Sequence, residues 1–369
     1  MIIELLIKFI IIFMSVLAHF KGLAAVGLGK MLGDPQRGLL TGRLARGCEL
    51  CYAGLKAVIF ITGVCDENCY YCPVDRDRFG RSIMYVNDER AHSLDDVVRE
   101  AERQGATGAS VTGGDPLADL PLTLSLIRGL KAAFGPEFHI HLYTPGRYAT
   151  PDALVALWRA GLDEIRFHPV RGDYLKGVEY AVRLTRMRVG AEIPIAPGLE
   201  GWAKEVIRFV DSVGGHFVNM DEMEFAEPNR EALRLRGLRP SDSRQAAVRG
   251  ALRAAMDVLR WAEGNVKVSV HFCPVSFKDL VQVRNRFRRT AMRDLRWYEL
   301  PLPDGTVARG EVISEGGEVL GYFRPGGAVE LREGERARVV VSYPTQSREP
   351  VVCEAESEDP GEALRECVT

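Results

Sequence analysis

Residues 57–73 read AVIFITGVCDENCYYCP: an apolar, β-branched run that stops at Gly63 and opens into a loop carrying Cys65, Cys69 and Cys72. A run of that length and composition, bounded by glycine, predicts a buried strand at Ala57–Thr62. Three thiols spaced C-x3-C-x2-C just beyond a strand point to metal ligation. A zinc knuckle built from two CxxC pairs, Cys48/Cys51 and Cys69/Cys72, is the alternative that the cysteines alone leave open.

Downstream, short apolar runs alternate with amphipathic stretches, which is the pattern of repeated β–α units. Further strands are expected at Ala109–Thr112, Phe138–Tyr143, Glu164–His168, Ala191–Ala196, His216–Met220 and Val266–Phe272. A helix begins after Ser93, with acids in its first turn and Gly105 as its stop. Another starts at Thr150-Pro151, with proline in the favoured first position, and a third is expected over Ser241–Glu263. About six units predict an α/β fold, a partial (βα)6 TIM-type barrel, with chemistry at the C-terminal strand ends. Lys278–Arg296 reads as a last basic helix, and residues 297–352 as a small β-rich appendage. The acidic stretch 353–369 reads as a frayed tail. Residues 31–296 then form the core domain.

The chain has 369 residues and a formal net charge of −2, so composition alone gives no argument for a polyanionic partner. Eight cysteines in this length do not make a disulfide framework. Five of them lie within residues 48–72, which favours metal ligation in a reducing, cytoplasmic setting; Cys353 and Cys367 read as incidental. Residues 1–30 are apolar, but Glu4 and Lys8 interrupt the run, and the stretch from Phe9 to Ala18 is too short to span a bilayer. They are expected to be an extension from a misassigned start, with Met31 the true beginning. A membrane-surface anchor through residues 1–20 and a marginal transmembrane helix stay open.

The second motif, Val111-Thr112-Gly113-Gly114-Asp115-Pro116, follows the second core strand. Glycines at a strand end let the backbone approach a ligand closely. Together with the cysteine loop, and with Tyr71 just before the third cysteine, it resembles the signature of the radical S-adenosylmethionine (SAM) superfamily. From Cys48 to Arg293 the chain is similar to a group of mostly archaeal members related to pyruvate formate-lyase activating enzymes.

That resemblance implies that Cys65, Cys69 and Cys72 hold three irons of a [4Fe–4S] cluster and leave the fourth open to SAM. It implies that Tyr71, Gly113, Gly114, Asp115 and Pro116 surround SAM, with Asp115 in place of the usual glutamate. Thr144, Arg166 and Glu192 sit where the family contacts the rest of that cofactor; Ile193 and Ile195 either pack on adenine or belong to the core. A flavodoxin- or ferredoxin-type electron donor is implied as a partner. The substrate stays open among a glycyl-radical enzyme, RNA, a peptide and a small molecule.

Asn219, Asp221, Glu222 and Glu224, with Asn229 nearby, crowd one strand end and read as a substrate site. Cys48, Cys51 and Cys273 are read as ligands of a second centre, an Fe–S cluster or zinc. The arginines of 278–296 raise an RNA surface as a less favoured reading. A zinc-bound nucleic-acid-binding protein is the non-enzymatic alternative.

Overall fold

The computed structural model describes residues 31–242 and 246–368. Strands β1 (Leu32–Asp34) and β2 (Gly38–Thr41) lead into the short helix α1 (Arg46–Tyr52). Next come β3 (Lys56–Thr62), the hairpin β4 (Met84–Val86) and β5 (Glu89–Ala91), α2 (Leu94–Gln104) and β6 (Gly108–Gly113). The pattern continues through α3 (Leu120–Phe134), β7 (His139–Thr144), α4 (Pro151–Ala160), β8 (Glu164–Phe167) and α5 (Leu175–Leu184). It ends with β9 (Arg188–Ile195), α6 (Glu200–Ser212), β10 (Phe217–Glu222), α7 (Arg230–Leu235), α8 (Ala251–Asn265) and β11 (Ser269–Cys273).

β3, β6, β7, β8, β9, β10 and β11 pair in that order, every neighbour parallel. β11 takes antiparallel β2 as its other neighbour and β3 takes antiparallel β4, so the sheet curls without closing. This is the expected partial barrel. Its local signals behave as the residues dictate: Ser93 and Asp96 form a reciprocal capping box on α2, and Gly105 ends that helix in the left-handed region at φ 67°. Thr150 caps α4 ahead of Pro151.

Alternation along the strands separates two environments. Ala57, Ile59 and Ile61 of β3, and Ile193 and Ile195 of β9, belong to the apolar core shared with the helices. The two isoleucines are therefore core residues. The opposite face is unusual for a barrel, where branched apolar side chains normally fill the centre. Here Lys56, Ser110, Arg166, Asn219, Asp221 and His271 line an internal cavity.

Three expectations need correction. The helix expected from Ser241 begins at Ala251, because Ala247 and Val248 bridge to Glu224 and Pro240 and Gly250 turns through φ 88°. The basic helix divides into a π-helical segment, Lys278–Val283, and α9 (Arg284–Arg293). Four of the five arginines of α9 engage the chain: Arg286 pairs with Asp88, while Arg284, Arg289 and Arg293 donate to the carbonyls of Pro303, Gly105 and Glu102, and Arg288 is exposed.

The third correction concerns the tail. A second sheet contains β12 (Glu299–Pro301), β13 (Val307–Ser314), β14 (Val319–Phe323), β15 (Glu335–Ser342) and β16 (Val351–Ser357). The last strand and α10 (Pro360–Val368) occupy the residues expected to fray. Ala363 of α10 is fully buried in the small core with Val339 and Ala355. Cys353 and Cys367 are joined as a disulfide rather than incidental.

Residues 1–30 lie outside the described residues, and the expectations about them with them. Among the described residues no helix is long and apolar enough to cross a membrane.

The small sheet is tied to the barrel through Arg348. Its guanidinium donates to both Glu299 carboxylate oxygens at 2.7 and 2.9 Å, to Asp294 O at 2.6 Å and to Thr345 O at 2.6 Å. Arg348 and Glu299 are both buried. Removing one partner strands the other charge away from water. Arg348→Ala is expected to destabilise the C-terminal sheet by about 3 kcal/mol, read as an earlier urea transition of that part of the molecule.

Candidate active site

The cysteine loop is rooted by backbone hydrogen bonds. Gly63 N donates to Arg81 O and Gly80 N to Gly63 O, each at 2.8 Å, closing the loop at its base. Gly114 N donates to Thr62 O at 2.7 Å and Asp115 N to Val64 O at 2.8 Å, stitching the second motif to the first. Gly113 has φ 141°, and a Cβ there would lie 2.2 Å from Thr62 O; a Cβ on Gly114 would lie 2.2 Å from Val64 O. Glycine is thus required where the loop meets its neighbouring strand.

Side chains hold the loop from the other direction. Tyr174 donates to Glu67 at 2.6 Å, Tyr148 donates to Asp66, and Asn229 donates to Tyr71 O at 3.0 Å. Tyr71 Oη meets His168 Nε2 at 2.9 Å, and His168 Nδ1 meets Glu192 O at 2.8 Å. Burial pushes the Tyr71 phenol up and the His168 imidazolium down, so both are neutral near pH 7.

Cys65, Cys69 and Cys72 border a cavity of about 510 Å³ together with Gly113, Gly114 and Thr144. That volume lies within the usual range for small-molecule sites.

Comparison with known proteins fits this geometry. The family model described as the radical SAM superfamily matches residues 59–224. A provisionally named glycyl-radical enzyme activating enzyme of Methanocaldococcus jannaschii is 34% identical over 283 residues, covering 73% of this chain and 74% of that protein. The chain belongs to the radical SAM superfamily. It is therefore an enzyme of a family that uses a [4Fe–4S] cluster and SAM.

A second relative matches only a segment. The 5-amino-6-(D-ribitylamino)uracil–L-tyrosine 4-hydroxyphenyl transferase of Thermosynechococcus vestitus is 33% identical over 93 residues, 24% of this chain and 23% of that protein. Among solved structures, SuiB of Streptococcus suis aligns at 12% identity with a TM-score of 0.43, over 60% of this chain and 49% of that one. The SuiB likeness is too distant to add to the assignment.

The thiol loop of this radical SAM enzyme suits the cluster chemically. Glu67 N donates to Cys65 Sγ at 3.4 Å, a bond that a thiolate accepts better than a thiol. Burial pushes the Cys65 thiol up and the Cys69 thiol up to about 11. Among the described residues no three His, Cys, Asp or Glu side chains are placed as a metal ion needs them. Holding a cluster there would need the loop's thiols to draw inward.

Thr144, Tyr71 and the glycine pair line the cavity, whereas Asp115 and Pro116 do not. Asp115 is buried, caps the following turn at Leu117 N (3.0 Å) and accepts from Thr144 Oγ1 at 2.9 Å. Its geometry is that of a positioning residue.

Deeper in, Arg166 donates to Glu164 at 2.7 Å and Glu192 at 2.6 Å, so both residues expected at SAM spend their charges on each other. Asn219 donates to Glu192 at 2.8 Å. Burial works against the Glu192 charge, but Arg166 and Asn219 hold it below the ordinary carboxylate range. Burial and the nearby Glu192 push Asp221 well above that range. Glu222 accepts from Val275 N at 2.9 Å, and Glu224 pairs with Lys278 at 2.7 Å.

Lys278 and Lys56 were not singled out from sequence, yet both line the cavity. Lys56 stands at an inward position of β3, which strand alternation identifies. Lys278 is brought in by the π-helical turn, for which the sequence carries no signal.

The buried Asp115 has a pH signature. Burial raises its carboxyl from 3.8 to about 6, so the folded chain holds this proton more tightly than the unfolded one. Its contribution is present at low pH and lost as pH rises through about 6. Relative to Asp115→Asn, the metal-free wild type is expected to lose up to ~3 kcal/mol between pH 4 and 7. Urea unfolding across that range checks this; a constant difference would contradict it.

Proposed function

We propose that Cys65, Cys69 and Cys72 hold the cluster and that Tyr71, Gly113, Gly114 and Thr144 surround SAM in the adjoining cavity. The observation that carries this reading is the shared cavity, where three thiols and the glycine pair border one small-molecule space. When loaded, the cofactors supply a 5′-deoxyadenosyl radical that removes a hydrogen atom from the substrate.

The chain's own contribution is positioning. The Gly113–Gly114 backbone fixes the root of the thiol loop, and the Tyr71–His168 pair holds its far end against β9. Asp221, Glu224 and Lys278 offer a mixed-charge lining where a polar part of the substrate would lie.

For the substrate class we favour activation of a partner protein at a glycyl residue, with electrons from a flavodoxin- or ferredoxin-type donor. The similarity to the M. jannaschii relative over most of both chains supports this reading. An RNA substrate is disfavoured because four of the five arginines of α9 are engaged within the chain.

Anaerobic reconstitution, chemical reduction and addition of SAM test the first step. Wild type is expected to release 5′-deoxyadenosine and Cys69→Ala to fall to background. Undiminished release from that variant would overturn the ligand assignment. Asp221→Asn and Lys278→Met are expected to retain SAM cleavage while losing radical transfer to the partner, followed by electron paramagnetic resonance of a glycyl radical. Transfer at the wild-type level would remove these residues from the substrate site.

A further inference from the structure

Cys48 and Cys51 stand one turn apart on one face of α1, and both are buried free thiols. Helix α1 packs against β3, β6, β7 and the π-helical segment, presenting both sulfurs to the internal cavity that Cys273 also lines. Cys48 Sγ touches Asn219 Nδ2 at 3.3 Å, and Asn219 on β10 is the register neighbour of His271 on β11. Tyr52, next to Cys51, reaches His271 Nε2 at 3.4 Å. His271 and Cys273 share one face of β11. Cys48, Cys51, Cys273 and His271 thus all line the interior of the same cavity that the Cys65 loop borders.

Two features suit a metal held there. Arg166 Nη2 (3.4 Å) and Asn219 Nδ2 both donate to Cys48 Sγ. A neutral thiol is a weak acceptor, whereas sulfur in a metal centre accepts N–H bonds well. His271 Nδ1 is buried and has no hydrogen-bond partner. An imidazole edge left in that state is costly unless something fills the space beside it.

We infer that Cys48, Cys51 and Cys273, with His271 as fourth donor, hold a second thiolate-bound metal centre inside the barrel. The donor set suits an iron–sulfur cluster or a zinc ion. On binding zinc or a preformed cluster, each thiol releases its proton to solvent and none is oxidised. Assembly from ferric iron and sulfide draws its electrons from the added thiol reductant. Lys56 and Lys278, which line the same cavity, partly balance the added negative charge. As with the Cys65 loop, uptake draws the thiols together.

The test removes the first centre and counts what remains. Full-length Cys65→Ser/Cys69→Ser/Cys72→Ser chain is purified anaerobically and offered either iron with sulfide or zinc alone. It is expected to keep one centre per chain, read by metal analysis, with visible absorbance marking the iron–sulfur form and colourless uptake the zinc form. Adding Cys48→Ser and Cys51→Ser, or separately Cys273→Ser, is expected to abolish that uptake while the far-ultraviolet circular dichroism stays unchanged.

A folded triple variant that takes up neither metal overturns the inference, and so does uptake that survives loss of the interior thiols. Should the multiple variants not fold, the loaded wild type decides. Metal beyond one [4Fe–4S] cluster supports the inference, and none beyond it refutes it. SAM cleavage by wild type is scored separately, so failure of the catalytic reading is distinguishable from failure of this one.

Discussion

Arg166 carries a full charge inside a cage of parallel strands with almost no exposure to water. Such burial costs several kcal/mol unless the partners are close and well directed. Glu164 on its own strand and Glu192 on the next supply them, and Tyr143 and Cys48 complete the shell. The arrangement fixes more than one side chain. It holds β8 against β9 in a single register, because a one-residue slip would turn these charges into the apolar helix layer. It also fixes where α1 can lie, since Gly47 has room only for hydrogen: a Cβ there would approach His141 and Arg166 within 2.7 Å.

Around this pair the barrel interior becomes polar, and the cavity follows. In an ordinary barrel the inward positions interlock as apolar layers and leave no space. Charged and amide side chains at those positions need partners or water, and they leave a volume continuous with the thiol loop. The apolar work of the fold is done on the other face, where Ile59, Ile61, Ile193 and Ile195 meet the helices. Two hydrophobicity patterns of period two, out of phase across the same strands, thus separate stability from chemistry.

Much of this was legible in the residues because the decisive signals are local. A capping box at Ser93, a proline at the start of α4 and a three-cysteine loop after a strand need no knowledge of distant partners. What escaped depends on pairing far along the chain. The sequence 241–248 has a helical pattern, yet the backbones of Ala247 and Val248 are claimed by Glu224 and Pro240. The arginines of α9 resemble a solvated basic face until the carbonyls of Gly105, Glu102 and Pro303 come into view. Asp115 reads equally well as a ligand or a cap from its motif, and only its distances to Leu117 and Thr144 separate the two. The acidic end looked unstructured because acidity says nothing about the strand β15 that it joins.

The disulfide between Cys353 and Cys367 gives the molecule two oxidation states of cysteine sulfur within one chain. The six cysteines of the barrel are free thiols, whereas Cys367 of α10 is bonded to Cys353 of β16 as an oxidised pair. Reducing that bond removes a covalent tether and leaves Ala363 of α10 packed against Val339 and Ala355.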